Sequence, residues 1–153
     1  MTAPSSWGIT PRQSIEAACA RRGRDAVIVG CIALLNRAVP AHGTAADPDL
    51  VLALGGPPAR AVLDEGPGGA SQYWLRVWAA RGLLWAWDDA AVPSILVAMT
   101  DEAWRVREMA AKVVARNLVG DLLDDVAALR DDPVARVRAA AARAVAVLTA
   151  AAA

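Results

Sequence analysis

The chain has little of what most catalytic and metal sites are made from. Among its 153 residues there is one histidine and there are two cysteines. His42 stands between Pro40 and Gly43 with no acid or thiol at triad or ligand spacing, which excludes a readable Ser-His-Asp arrangement or a His-based metal site. Cys19 and Cys31 lack the CxxC spacing of a zinc or redox pair. Both fall inside apolar helical patterns, where a free thiol acts as a small core residue, so a reducing, cytoplasmic setting is the simplest one. No glycine-rich loop leads into Lys and Ser/Thr in the P-loop manner. The expectation is a protein that is not an enzyme, with no metal and no cofactor.

An excess of charge of one sign is also missing. Lys plus Arg number 16 and Asp plus Glu number 16. A chain held on nucleic acid by phosphate neutralisation would be basic as a whole, so any electrostatic recognition here has to be local. Long apolar runs are missing too. Residues 21–35, "RRGRDAVIVGCIALL", look like an export signal, with a basic lead, an apolar stretch and a Gly30-Cys31 pair. However, the stretch begins far from Met1, Asp25 interrupts the lead, and apolar residues continue past Cys31. Its apolar part falls well short of the roughly 20 residues needed to span a bilayer. It reads as a buried helix, and no membrane role is expected.

What the chain does have is apolar content, 56% of its residues, enough for a single domain over 1–153 with a substantial core. It also has a repeat. "DEAWRVREMAA" at 101–111 returns thirty-one positions later as "DPVARVRAAAA" at 132–142. In that register Arg76, Arg107 and Arg138 align, as do Ala79-Ala80, Ala110-Ala111 and Ala141-Ala142. Ahead of them, Val92, Ile95 and Ala98 match Leu123, Val126 and Leu129 at the i, i+3, i+6 spacing of a short amphipathic helix. Each unit is then two helices, with turn or cap signals at Asp88-Asp89, Thr100-Asp101, Gly120-Asp121 and Asp131-Asp132-Pro133. Helix pairs at a fixed period stack, because no pair buries its apolar face alone.

The N-terminal part does not keep the register. Thr10-Pro11 opens a helix that Gly23 ends, 24–36 reads as a second helix, and 49–54 and 57–63 read as a worn pair before the break "EGPGGAS" at 65–71. Residues 1–64 are an irregular helical cap or degenerate repeats, and 71–149 are the repeats of period 31.

The Asp followed by Val-Arg and an Ala-rich helix, in Asp101 with Val106-Arg107 and Asp132 with Val137-Arg138, resembles the short HEAT-like repeats of the phycobilisome-lyase type. Leu75-Arg76 keeps the Arg of the pattern without its Asp. The resemblance implies an all-α fold, a right-handed α-α superhelix or HEAT-like solenoid. It also implies a structural inter-repeat ladder of Asp101, Arg107, Asp132, Arg138 and Arg76, and a concave wall lined by the Val-Arg helices. On a wheel of the 102–117 helix, Arg105, Lys112 and Arg116 share one flank, continued by Arg136 and Arg143 in the next copy and by Trp74, Trp78, Arg81 and Trp85 in the previous one. Ala80, Ala111 and Ala142 would form a shallow floor bordered by Tyr73 and Trp104.

The function expected is a non-enzymatic protein-binding scaffold or adaptor. Tyr73 and Trp104 would anchor a protein or peptide, and Arg105, Lys112, Arg116, Arg136 and Arg143 would select an acidic segment. Packing of the tryptophans in the core and a merely solvated basic flank stay open at this level. Nucleic-acid binding is the alternative. It includes a remote similarity to alkylpurine DNA glycosylases through Trp87-Asp88-Asp89, although Asp88-Asp89 also fits a helix cap. Val145, Val147 and Leu148 near the C-terminus would leave an apolar edge through which a homodimer could form.

Overall fold

A computed structural model describes residues 8–37 and 47–153. His42 lies outside the described residues. Those residues contain nine α-helices and no strand, the all-α architecture expected. Contacts divide the chain into two compact units, Met1–Ala86 and Trp87–Ala153.

The first unit holds α1 (Pro11–Arg22), α2 (Arg24–Leu35), α3 (Pro48–Gly55), α4 (Ala59–Glu65) and α5 (Tyr73–Gly82). Thr10 opens α1 with a capping box. Its hydroxyl accepts from the Gln13 N–H, and the Gln13 side chain accepts from the Thr10 N–H; Pro11 needs no hydrogen-bond partner there. Gly23, at φ 89°, turns the chain into α2, a conformation that costs glycine little. Helix α2 buries Val27, Ile28, Cys31 and Leu35, but Val29 is 65% exposed. It is therefore not buried all round as its composition suggests, because it packs against α1 and α5 and leaves one side open. Where α3 meets α5, Gly55 removes the side chain that would collide with Trp78. A Cβ there would lie 2.5 Å from Trp78 Cε3, and Trp78 is accordingly buried.

The second unit holds α6 (Val92–Ala98), α7 (Trp104–Asn117), α8 (Leu123–Ala128) and α9 (Ala135–Ala152), with 3-10 turns leading into α6 and α8. The short helices bury Ile95, Ala98 and Val126, with Leu129 buried in the 3-10 turn after α8, while the long ones bury Val106, Ala110, Val113 and Val114, and Val137, Ala141, Ala144 and Leu148. Helix α7 packs along α9, with α6 against α7 and α8 against α9. These are the two helix pairs that the thirty-one-residue period marks out.

Three details differ from the sequence expectation. Asp101 and Asp132 do not sit at the helix N-caps: α7 and α9 begin three residues later, at Trp104 and Ala135. Each aspartate instead closes a tight turn, accepting from the N–H two residues on, Ala103 at 2.8 Å and Val134 at 2.9 Å, the local competition that short polar side chains offer a backbone. The alanine floor is also absent. Ala80 and Ala111 are fully buried and only Ala142 is exposed, because small side chains at these positions permit close helix contact. At the C-terminal helix Leu148 is buried, so of the apolar edge only Val145 and Val147 stay half-exposed.

Candidate functional site

Two sets of basic residues on α7 and α9 do different things. Arg107 reaches back to the turn before its own helix and forward to the turn before α9. Its Nη1 donates to the carbonyls of Asp101 and Glu102 at 2.8 and 3.2 Å. Its Nε and Nη2 donate to the two carboxylate oxygens of Asp132 at 2.8 and 3.1 Å. A planar guanidinium can serve both acceptors at once, which an ammonium cannot. Arg138 repeats the backward half of this pattern, with Nη1 on the carbonyls of Asp132 and Pro133 at 2.8 and 3.1 Å. Arg76 is buried on α5.

The Arg107–Asp132 pair is shielded, with side-chain exposures of 15% and 5%. The Arg107 guanidinium holds the Asp132 carboxyl below its usual range against the opposing effect of burial, and the Val134 N–H adds to the depression.

The second set faces outward around Trp104. The Arg105 guanidinium lies 4.4 Å from the Trp104 ring centroid, and that of Arg136, from α9, lies 5.4 Å from it. Both are within cation-π range. Beneath them Glu108 is buried, receiving Arg136 at 3.1 Å and Lys112, one turn along α7, at 3.2 Å. Glu108 is the only acid on α7, and α9 has none. The exposed acids of this unit lie outside α7 and α9: Asp88 and Asp89 before α6, Glu102 in the turn before α7, and Asp121, Asp124, Asp125 and Asp131 on and around α8. Arg116 and Arg143 are exposed farther along α7 and α9.

The structure therefore brings Trp104, Arg105, Lys112 and Arg136 into one cluster. Tyr73 belongs to the first unit, where its ring meets Trp74 at 5.3 Å. Sequence reasoning missed Glu108. Its i, i+4 spacing to Lys112 was readable, but its bond to Arg136 crosses between helices. Trp87 and Asp89 of the glycosylase-like stretch bond to each other at 3.2 Å, and Asp88 caps the Ala90 N–H at 2.8 Å. This occupies all three in local turn structure. Among the described residues no group of three or more His, Cys, Asp or Glu could hold a metal ion, and no helix is long and apolar enough to cross a membrane.

Paired helices at a fixed period, joined by an arginine-aspartate bridge and carrying an outward aromatic-cationic cluster, define a helical-repeat protein. Residues 91–116, which take in α6 and nearly all of α7, match the HEAT repeat, so this helix pair is HEAT-like. No curated protein and no solved structure matches it. HEAT repeats generally serve as non-enzymatic scaffolds for protein interaction.

Proposed function

We propose that this chain is a protein-binding scaffold or adaptor, without catalytic activity, whose α7–α9 face receives an acidic segment of a partner protein. In this reading the HEAT-like repeats run over 71–149, beyond the matched stretch, behind an N-terminal cap. The observation that carries it is the Trp104 cluster, where an aromatic ring is bracketed by Arg105 and Arg136 on two helices whose only acid is buried Glu108. Glu108 draws Lys112 and Arg136 toward one place and satisfies them in part. That limits the cost of gathering like charges while keeping the outer surface positive. Trp104 supplies anchor area, and the arginines supply orientation and on-rate. Arg116 and Arg143 extend the positive strip for a longer segment.

Nucleic acid is the second reading, favoured by the same stacking-capable ring and guanidinium groups. The equal numbers of acids and bases in the whole chain weigh against it. Affinity capture from the native extract, with and without nuclease, separates the two. A retained protein that survives nuclease treatment and presents an acidic segment is the expected result. Retention of nucleic acid alone, released steeply by salt, would replace the protein-binding reading.

A further inference from the structure

The first unit contains a cation that no acid answers. Arg81, near the end of α5, donates from Nη2 to the carbonyl of Leu54 at 2.7 Å, at the C-terminal turn of α3, where positive charge is favourable. Its Nε is shut away from solvent with no acceptor, and it is the one buried side-chain polar atom of the described residues left in that state. Arg81 makes no ion pair among the described residues. Burial pushes its pKa down with no acidic neighbour to restore it. Arginine nevertheless stays charged in proteins, so the fold keeps a half-buried guanidinium with one carbonyl for company. Such a group is costly unless something completes it.

Beside this guanidinium lies a groove of about 460 Å³ lined by Gly55, Pro58, Val62, Trp74 and Trp78, with Ser71 at its side and Arg81 in its wall. That is within the size range of small-molecule sites, which combine an apolar lining with a few fixed polar groups. The two indoles are stacked, with centroids 5.8 Å apart and planes at 26°. Gly55 leaves the α3 backbone open to Trp78, which fixes the ring in place. The stretch Trp74, Trp78 and Arg81 stood out in the sequence as an aromatic counterpart of the basic flank, and the α7–α9 face makes no use of it.

We propose that this groove binds a small carboxylate with a flat apolar body, its ring against Trp74 and Trp78 and its carboxylate on the Arg81 guanidinium. The inference does not rest on the protein-binding reading, since every residue it uses belongs to the first unit.

Isothermal titration calorimetry of the full chain with 2-naphthoate and with the neutral 2-naphthamide tests it. Naphthoate is expected to bind saturably and at least ~10-fold more tightly than the amide, the loss expected when a charge-assisted pair is removed from a shielded site. Arg81→Met should bring naphthoate down to the amide's level. Ser71→Phe, which fills the groove while leaving Arg81 in the sequence, should weaken both. If Arg81→Met does not fold, the two wild-type titrations and Ser71→Phe still decide. The proposal is overturned if naphthoate shows no saturable binding up to about 5 mM, or binds no more tightly than the amide. It is equally overturned if its preference survives in folded Arg81→Met. An acetylated dipeptide ending in a free tryptophan carboxylate that binds where naphthoate does not would assign the groove to a chain terminus instead.

Discussion

Replacing Arg107 by alanine should destabilise the second unit severely. The substitution removes four hydrogen bonds, two to the carbonyls of Asp101 and Glu102 and two to the Asp132 carboxylate. It leaves that carboxylate, 5% exposed, with only the Val134 N–H. Breaking one side of a buried pair costs about 3–5 kcal/mol when the remaining charge has no other partner. Here Arg107 is partly open to water, and Val134 still donates, which places the cost at about 3 kcal/mol. For a chain of this length that corresponds to a fall in Tm of roughly 6–12 °C. Lys112→Ala is the control. Its pair with Glu108 is nearly half-exposed on the lysine side and Arg136 remains on the same oxygen, so the cost should stay near 0.5 kcal/mol or about 1–2 °C. Thermal melting followed by far-ultraviolet circular dichroism reads both. Equal shifts for the two variants would refute the division of these cations into a ladder and a surface. A double-mutant cycle of Arg107→Ala with Asp132→Asn, which keeps an oxygen for the turn, should return a coupling of at least ~1.5 kcal/mol.

The depressed Asp132 carboxyl makes a pH prediction. Its contribution is fully present above the unfolded value of about 3.9 and is lost as pH falls through the lower folded value. Acid melts of Asp132→Asn should therefore be flatter below about pH 4 than those of the wild type. Cys31 is buried with its thiol pushed up to about 12 by desolvation, so in the native protein it should resist alkylation, while half-buried Cys19 reacts first. The order is checked by mass mapping after brief iodoacetamide treatment, and faster modification of Cys31 would contradict the packing of α2. Gly55→Ala should cost about 1–3 kcal/mol, because its new methyl would lie 2.5 Å from the Trp78 ring; a melt unchanged from the wild type would mean that Trp78 is not seated there.

Helix pairing was legible because it rests on periodicity. Ile95 and Ala98, and Val126 and Leu129, occupy equivalent buried positions thirty-one residues apart, and apolar spacing of that kind reports a helix face directly. The local role of Asp101 and Asp132 was misread because a capping aspartate and an aspartate that closes a turn two residues ahead of the cap look alike in sequence. The surface floor failed for a related reason. Alanine at 80 and 111 is equally at home exposed on a helix or pressed between helices, and only tertiary packing decides. At the candidate site, Arg105, Lys112 and Arg136 were identified by their wheel positions. Their convergence on Trp104 and Glu108 depends on the crossing of α7 with α9, which no pattern within one helix encodes.

Charge reversal on the α7–α9 face tests the central claim most directly. Arg105→Glu with Arg116→Glu, assayed beside the wild type for both Tm and the amount of partner protein captured from the native extract, should leave Tm within a few degrees, because both changes keep the Arg136 and Lys112 pairs with buried Glu108 in place. The same change should abolish capture of the acidic partner, since like charges would then face each other across the interface. A double variant that melts like the wild type and captures the same protein in the same amount would contradict the assignment of this face as the binding surface.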